Sequence, residues 1–289
     1  MSLFNKEPKK EKIVEPQYYT SATNMQTLNY TVYYMSKKEK LLYFLLAFVV
    51  GAVVGYMFYG GLAKDSYGQA TVMTYILNIV ICSVAGIGAG VFFVKIRAEQ
   101  IKNNRISRLK SQFRDMLEAL TTSLGAGKNV VDSFNAVYDD LRVQYDENAF
   151  ILKELEVILD GMNNNIDIEE LLADFGERSG LDDIKSFANV FKISYRKGGN
   201  IKDVIRSTHE ILSDKMEISE DIETIITGSK NEQNIMIVMP VVLIAMLKFT
   251  GGGFADNFAT PSGIISTTIA IGMFIAAYFI GRKVMEIKV

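Results

Sequence analysis

Four long runs without a charged side chain, set as two pairs around a polar insert, constrain this chain more than any single residue. The runs are Leu41–Ala63, Ser66–Val94, Gln233–Leu247 and Asn257–Gly281. Between the pairs, Lys95 to Glu232 hold 19 Lys/Arg and 26 Asp/Glu. A helix needs about 20 apolar residues to cross the ~30 Å hydrocarbon core of a bilayer. The layout therefore reads as an all-α integral membrane protein with four transmembrane helices. A polar leader (1–40) precedes a transmembrane hairpin (41–94), a cytoplasmic helical domain (95–232), then a second hairpin with a short tail (233–289). The formal net charge of −2 averages two unlike materials and describes neither.

The first 40 residues carry seven lysines: Lys6, Lys9, Lys10, Lys12, Lys37, Lys38 and Lys40. A secretory signal has a short basic lead and 7–15 apolar residues. This lead is longer and its apolar run spans 23 residues, so a first span is expected, with a Tyr-rich leader before it that is disordered at first and interfacial near Lys37. Short loops rich in Lys/Arg stay cytoplasmic. Lys95–Arg114 holds seven bases against Glu99, and the tail holds Arg282, Lys283 and Lys288. Only Lys64 falls between the first two runs, and only Lys248 between the last two. These counts predict a cell (inner) membrane protein with both termini and the central domain cytoplasmic. Lys248 reads as snorkelling to the outer interface, with Asp256 in the outer loop. The third span is expected to continue past Lys248 toward Gly251-Gly252-Gly253, because Gln233–Leu247 alone rises only ~22 Å.

Small residues four apart mark helix–helix packing within the membrane: Gly51 with Gly55, Gly86 with Gly90, Ala277 with Gly281. The central domain shows helical period throughout. Apolar stripes are Leu109/Phe113/Met116/Leu117/Leu120/Leu124, Val130/Phe134/Val137/Leu141, and Ile151/Leu155/Ile158/Met162. They continue with Ile168/Leu171/Leu172/Phe175, Ile184/Phe187/Phe191/Tyr195, and Ile201/Val204/Ile205/Thr208/Ile211/Leu212. Breaks at Gly125/Gly127, near Asp146, at Asn163–Asn165, at Ser179-Gly180 and at Gly198-Gly199 divide them into a six-helix bundle.

Two breaks align. Leu120–Leu141 set on Phe191–Leu212 puts Ser123 on Ser194, Gly127 on Gly198, Asn129 on Asn200 and Asp132 on Asp203. Each reads as a helix stopped by glycine, then an Asn cap with Asp at the positive end of the next helix. Many helical hairpins share this chemistry, and an internal duplication is the alternative. Gly125-Ala126-Gly127-Lys128-Asn129 does not make a phosphate loop. Position 122 is Thr where that loop needs Gly, and Asn129 stands where it needs Ser or Thr.

No Cys/His set has metal-ligand spacing, Cys82 lies within a span, and His209 reads as a solvated or edge-of-core side chain. Neither enzyme chemistry nor a metal or cofactor is expected. Asp115–Glu232 holds 12 bases and 25 acids, which argues against a nucleic-acid partner. The basic collar Lys95–Arg114 suits anionic headgroups of the bilayer. The acidity reads as plain solubility, or as a docking face for a basic protein, with Asp139, Asp140, Asp146 and Glu147 favoured over Glu217, Glu220, Asp221 and Glu223.

Several segments together resemble the type II secretion system F family, in particular the Tad pilus inner-membrane platform proteins. They are Phe113-x3-Leu117-x2-Leu120-x3-Leu124-x-Ala126-Gly127, Asp132-Ser133-Phe134, the helix ending at Tyr195, Gly198-Gly199-Asn200 with Val204, and Ile235–Pro240. The resemblance covers roughly Leu41 to Gly281. It implies a non-enzymatic platform at the base of a type IV-like (Tad/Flp) pilus or secretion assembly. Such a platform couples a cytoplasmic ATPase to extraction of pilins from the membrane. Relatives with a duplicated domain imply that this single-copy chain works with a second copy or a sister subunit. The rival class is a transporter or channel subunit with a cytoplasmic regulatory domain. That class calls for polar groups or broken helices at mid-membrane, and these spans hold almost none.

Overall fold

The computed structural model describes residues 15–21, 23–63, 69–249, 258 and 260–285, with Phe249, Arg282 and Met285 described by backbone alone. Lys6, Lys9, Lys10, Lys12, Lys64, Ser66, Gly251, Gly252, Gly253, Asp256 and Lys288 lie outside the described residues. Among the described residues the chain is helical apart from one hairpin of strands β1 (Tyr18–Thr20) and β2 (Gln26–Leu28). The helices are α1 (Lys37–Tyr59), α2 (Val72–Gly125), α3 (Val130–Gln144), α4 (Phe150–Asn163), α5 (Ile168–Ser179), α6 (Asp182–Arg196), α7 (Ile201–Phe249) and α8 (Pro261–Met285). Four of them, α1, α2, α7 and α8, are long and apolar enough to cross a membrane. Two compact units form, and α2 and α7 each contribute to both.

One unit holds Gln100–Leu212 and the described leader up to Tyr34. Its helices are amphipathic, so each buries one face. Leu109, Phe113, Met116, Leu117 and Leu120 of α2 are fully buried with Phe134 and Val137 of α3, Leu155 of α4, Phe175 of α5 and Phe191 of α6. Full burial of such a side chain is worth about 1.5–3 kcal/mol. Phe113 meets Phe175 and Phe187 edge-on, at centroid distances of 6.1 and 5.5 Å. Helix α3 packs on α4, α4 on α5, and α5 on α6. Gly176 permits the last approach, since a Cβ there would stand 3.1 Å from the Lys185 backbone. The outer ends of two stripes stay out of the core: Tyr195 is exposed and stacked on Phe191, and Ile211 is exposed.

The second half of the leader is folded, where the sequence leads one to expect disorder. β1 and β2 pair antiparallel, Tyr18 opposite Leu28 and Thr20 opposite Gln26. Asn29 and Tyr30 then run onto α4 and α5. Tyr30 is buried, edge-on to Phe150, and its hydroxyl donates to Glu154 at 2.9 Å. Glu154 and Arg178 form a buried bidentate pair: Nη1 to Oε1 at 2.9 Å and Nη2 to Oε2 at 2.7 Å. Arg178 Nε donates to Asp174 at 2.8 Å, and the Arg178 carbonyl accepts from Tyr30 N–H at 3.0 Å. Burial opposes the guanidinium charge, but Glu154 and Asp174 outweigh it and hold the Arg178 pKa above arginine's ordinary value. Burial, then the charge and hydrogen bond of Glu154, push the Tyr30 phenol well above its usual range, so it stays a donor. Gly180 closes α5 in the left-handed region (φ +66°), where a Cβ would also strike Thr31 Cγ2 at 2.6 Å. The described leader residues up to Tyr34 are thus a strap seated on this unit.

The other unit holds Met35–Glu99 and the chain from Ser213 through α8. Between their charged ends, helices α1 and α8 are apolar on every side, which suits a surrounding of hydrocarbon rather than water. Helix α1 starts where Glu39 accepts from the Ser36 N–H at 2.9 Å. Its small residues meet those of α2: a Cβ on Gly51 would lie 2.6 Å from Ala89 Cβ, and one on Gly55 2.8 Å from Ala85 Cβ. Gly86 and Gly90 receive the rings of Phe48 and Phe44, each 2.6 Å from where a Cβ would stand. Gly281 sits instead against Gln233, whose amide donates to the Tyr278 carbonyl at 3.1 Å. Helix α7 runs through Lys248 to Phe249, and Lys248 Nζ donates to the Gly60 carbonyl at the end of α1 (3.1 Å). Pro240 inside α7 has no N–H to offer the Met236 carbonyl.

Removing one member of a buried ion pair strands the other. Arg178→Ala should therefore cost about 3–5 kcal/mol of stability. Tyr30→Phe, which loses one bond to a charged acceptor, should cost about 1.5–3 kcal/mol. The double variant Glu154→Leu/Arg178→Met should recover most of the loss. Urea unfolding of the purified chain ranks all three, and an Arg178→Ala chain as stable as the parent would contradict the buried pair.

Candidate functional site

The residues singled out in the sequence fall in three places. The first is a pair of turns. After α2, Gly127 takes φ +87°, its N–H bonds the Leu124 carbonyl at 3.1 Å, and the Lys128 N–H reaches the Ser123 carbonyl at 3.4 Å. After α6, Gly198 takes φ +67° and the Gly199 N–H reaches the Ser194 carbonyl at 2.7 Å. The same closing bond onto aligned serines ends both helices in a left-handed glycine. Glycine is required at these two positions because the left-handed backbone crowds a Cβ.

The caps beyond the two glycines differ in one bond. Asn129 caps α3: its Oδ1 accepts from the Asp132 N–H at 2.8 Å while its amide donates to the Asp132 carboxylate at 2.7 Å. At α7, Asn200 makes the side-chain bond to Asp203 at 2.6 Å, but the matching bond from the Asp203 N–H is not formed. Asn200 is therefore a weaker cap than the alignment predicts. The two turns are neighbours, with a Cβ on Gly125 placed 3.7 Å from Lys202 Nζ. Lys128 is exposed beside the first.

The acidic residues come second. Asp139 and Asp140 are exposed on α3, Asp139 on the side opposite buried Phe134, Val137 and Leu141 and Asp140 at the flank of that face. Asp146 and Glu147 are exposed in the turn after α3, where the Asp146 carbonyl accepts from the Ala149 N–H at 2.8 Å. Glu156 of α4 adjoins α3, accepting from Tyr138 at 2.7 Å. That bond raises the Tyr138 pKa. Glu217, Glu220, Asp221 and Glu223 are exposed on α7, and Glu223 lies 3.7 Å from Lys230.

The third place is the α1–α2 seam of Gly51, Gly55, Gly86 and Gly90 described above. His209 is half-buried at the edge of the helical core, its Nδ1 3.3 Å from the Arg114 carbonyl. Among the described residues, no three His, Cys, Asp or Glu side chains gather as a metal ion would need.

Sequence reasoning missed the Glu154–Arg178–Tyr30 network and two flanking contacts. Tyr145 donates to Asp115, and burial, then that bond, push its phenol to about 12. Arg196 donates to Glu169 at 2.9 Å and holds that carboxyl below its ordinary value. A signal was present: Glu154 falls on the same helix face as Ile151 and Ile158, and Arg178 on that of Leu171 and Phe175. A charge set into an apolar stripe has to be paired when the stripe is buried.

No family model, curated protein or solved structure matches this chain.

Adding a Cβ to a left-handed glycine costs about 1–2 kcal/mol, and losing a full Asn cap about 1 kcal/mol. Gly198→Ala and Asn129→Ala should each lower the unfolding free energy by those amounts, while Asn200→Ala should cost clearly less than Asn129→Ala. Denaturant titration of the three variants checks this order. A Gly198→Ala chain with an unchanged midpoint would show that the turn is built differently.

Proposed function

We propose that this chain is an inner-membrane platform protein of a type IV-like (Tad/Flp) pilus or related secretion assembly. In this reading α1, α8 and the apolar stretches of α2 and α7 span the membrane, and the amphipathic helices between them form a cytoplasmic six-helix bundle. The observation that carries the reading is the pair of matched glycine turns, one closing the amphipathic part of α2 and the other opening that of α7. The resemblance to the secretion-system F family rests largely on these two segments. The platform would be a coupling element rather than an enzyme. An ATPase acts on the cytoplasmic unit, pilins leave the membrane beside the spans, and a second copy or sister subunit completes the assembly.

The Lys/Arg asymmetry supports cytoplasmic termini. In a Cys82→Ser background, Ser66→Cys and Thr260→Cys should react with a membrane-impermeant maleimide on intact cells. Lys128→Cys should react only after the cells are opened. The reverse pattern would sink the topology.

The exposed acids of α3 and the turn after it support an ATPase-docking face, because surface charges steer a basic partner and are screened beyond ~8 Å at physiological ionic strength. Changing Asp139, Asp140, Asp146 and Glu147 to Lys should abolish pilus assembly with protein level and membrane insertion intact. Normal piliation in that variant would leave the acidity as a solubility feature.

A further inference from the structure

We propose that the unit built from α1, α8 and the apolar stretches of α2 and α7 holds one anionic phospholipid, its acyl chains in an apolar cavity and its phosphate met by Lys95 and Lys283. The inference rests on the reading of these helices as membrane spans. The cavity has a volume of ≈ 1350 Å³, with Val54, Val84, Ala89, Ile244, Ile271 and Phe274 among its walls. Among the described residues, no Asp, Glu, Lys, Arg or His lines it. Sites for small polar ligands run to about 300–1,000 Å³ and place a few polar groups to orient the ligand. This cavity is larger, and the hydroxyl pair of Tyr59 and Thr268, 2.9 Å apart, bonds to itself.

Its length selects the occupant. On α2 the lining runs from Val80 to Phe92, and on α8 from Ser266 to Phe279. At 1.5 Å per residue these are about 18 and 20 Å. One leaflet of a ~30 Å hydrocarbon core is about 15 Å deep. The cavity therefore takes the chains of a lipid from one leaflet, whereas a crossing helix would leave about a third of its length outside.

Two exposed lysines lie past one end. Lys95 follows Phe92 by three residues and Lys283 follows Phe279 by four, and residues so spaced share a helix face. Both lysines are exposed, one turn beyond the last apolar lining residues. The far end is closed by Phe58, Tyr59 and Phe258, and Lys248, four residues past Ile244 of the lining, is engaged there by the Gly60 carbonyl at 3.1 Å. An apolar slot with two exposed lysines one helical turn past its lining at one end, and a lysine already engaged by a backbone carbonyl at the other, complements an amphiphile with a single anionic head. Basic groups between membrane helices on the cytoplasmic side bind such headgroups.

The full chain, purified in detergent, would be mixed with phosphatidylglycerol or phosphatidylcholine and read by native mass spectrometry and by thermal unfolding. One phosphatidylglycerol should be retained per chain and should raise the midpoint saturably, with phosphatidylcholine much weaker. Lys95→Glu/Lys283→Glu should weaken phosphatidylglycerol binding roughly thirtyfold, from the loss of two basic groups. Lys128→Glu, the control change of charge, should leave it unaltered. Because the lysines are exposed, these variants keep the fold. Equal retention of the two lipids, or unchanged binding by the double variant, would overturn the proposal. A photo-crosslinker at Ile271 that captures a polypeptide in place of lipid would overturn it in favour of a helix. Recovery of the chain in the soluble fraction without detergent would overturn the membrane reading along with it, which the lipid comparison alone does not.

Discussion

A helix that is apolar on every side cannot bury itself in water by turning, and this constraint governs the whole chain. α1 and α8 have no polar face, and the same is true of α2 from Val72 to Val94. Such helices need apolar surroundings, and within them backbone packing rather than hydrophobic contrast decides which helices touch. The contacts obey that rule: Gly51 and Gly55 meet Ala85 and Ala89, and Gly86 and Gly90 admit phenylalanine rings. The other unit is built on the opposite principle. Its helices have one apolar face each, and their packing is driven by removing that face from water. One chain therefore holds two kinds of interior, and α2 and α7 change from one kind to the other without a break in the helix.

Within the amphipathic unit, the Glu154–Arg178 pair has a particular part. Two charges taken out of water recover their hydration cost only through good geometry and further hydrogen bonds. Here the pair is bidentate, Asp174 takes the remaining Nε, and Tyr30 and the Leu28 carbonyl supply contacts from the leader. A pair this demanding adds little net stability but is intolerant of the wrong neighbour. It accepts the strap in one register, because a shift of one residue would move the Tyr30 hydroxyl away from Glu154.

The parts legible in the sequence are those governed by local periodicity. Leu109 through Leu120, Phe134 to Leu141 and Ile184 to Phe191 read as buried faces because 3.6-residue spacing survives whatever packs against it. The breaks at Gly127 and Gly198 were legible because few residues adopt a left-handed backbone. The illegible parts depend on partners distant in the chain. The strap's strands are three residues each, too short for alternation to stand out, and their stability comes from α4 and α5. Asn200 looks identical to Asn129 in sequence, yet only Asn129 bonds the backbone. The pairing of Gly51 with Ala89 and of Gly55 with Ala85 likewise needed the helix register, since small residues four apart occur on many apolar helices.

The strap has a consequence for the order in which the chain is completed. Tyr30 and Glu154 are separated by 124 residues, and the Leu28 carbonyl and Arg178 by 150. Translation at about 5–20 residues per second puts roughly 8–30 s between the emergence of the strap and that of its binding surface. During that interval α1 and the apolar part of α2 leave the ribosome, so they must find their apolar surroundings while the N-terminal segment has no surface to occupy. The strap is made before α4 and α5 and can seat only once both have emerged. Any factor that engages the unseated strap has those seconds in which to act, and docking of Tyr30 ends its access.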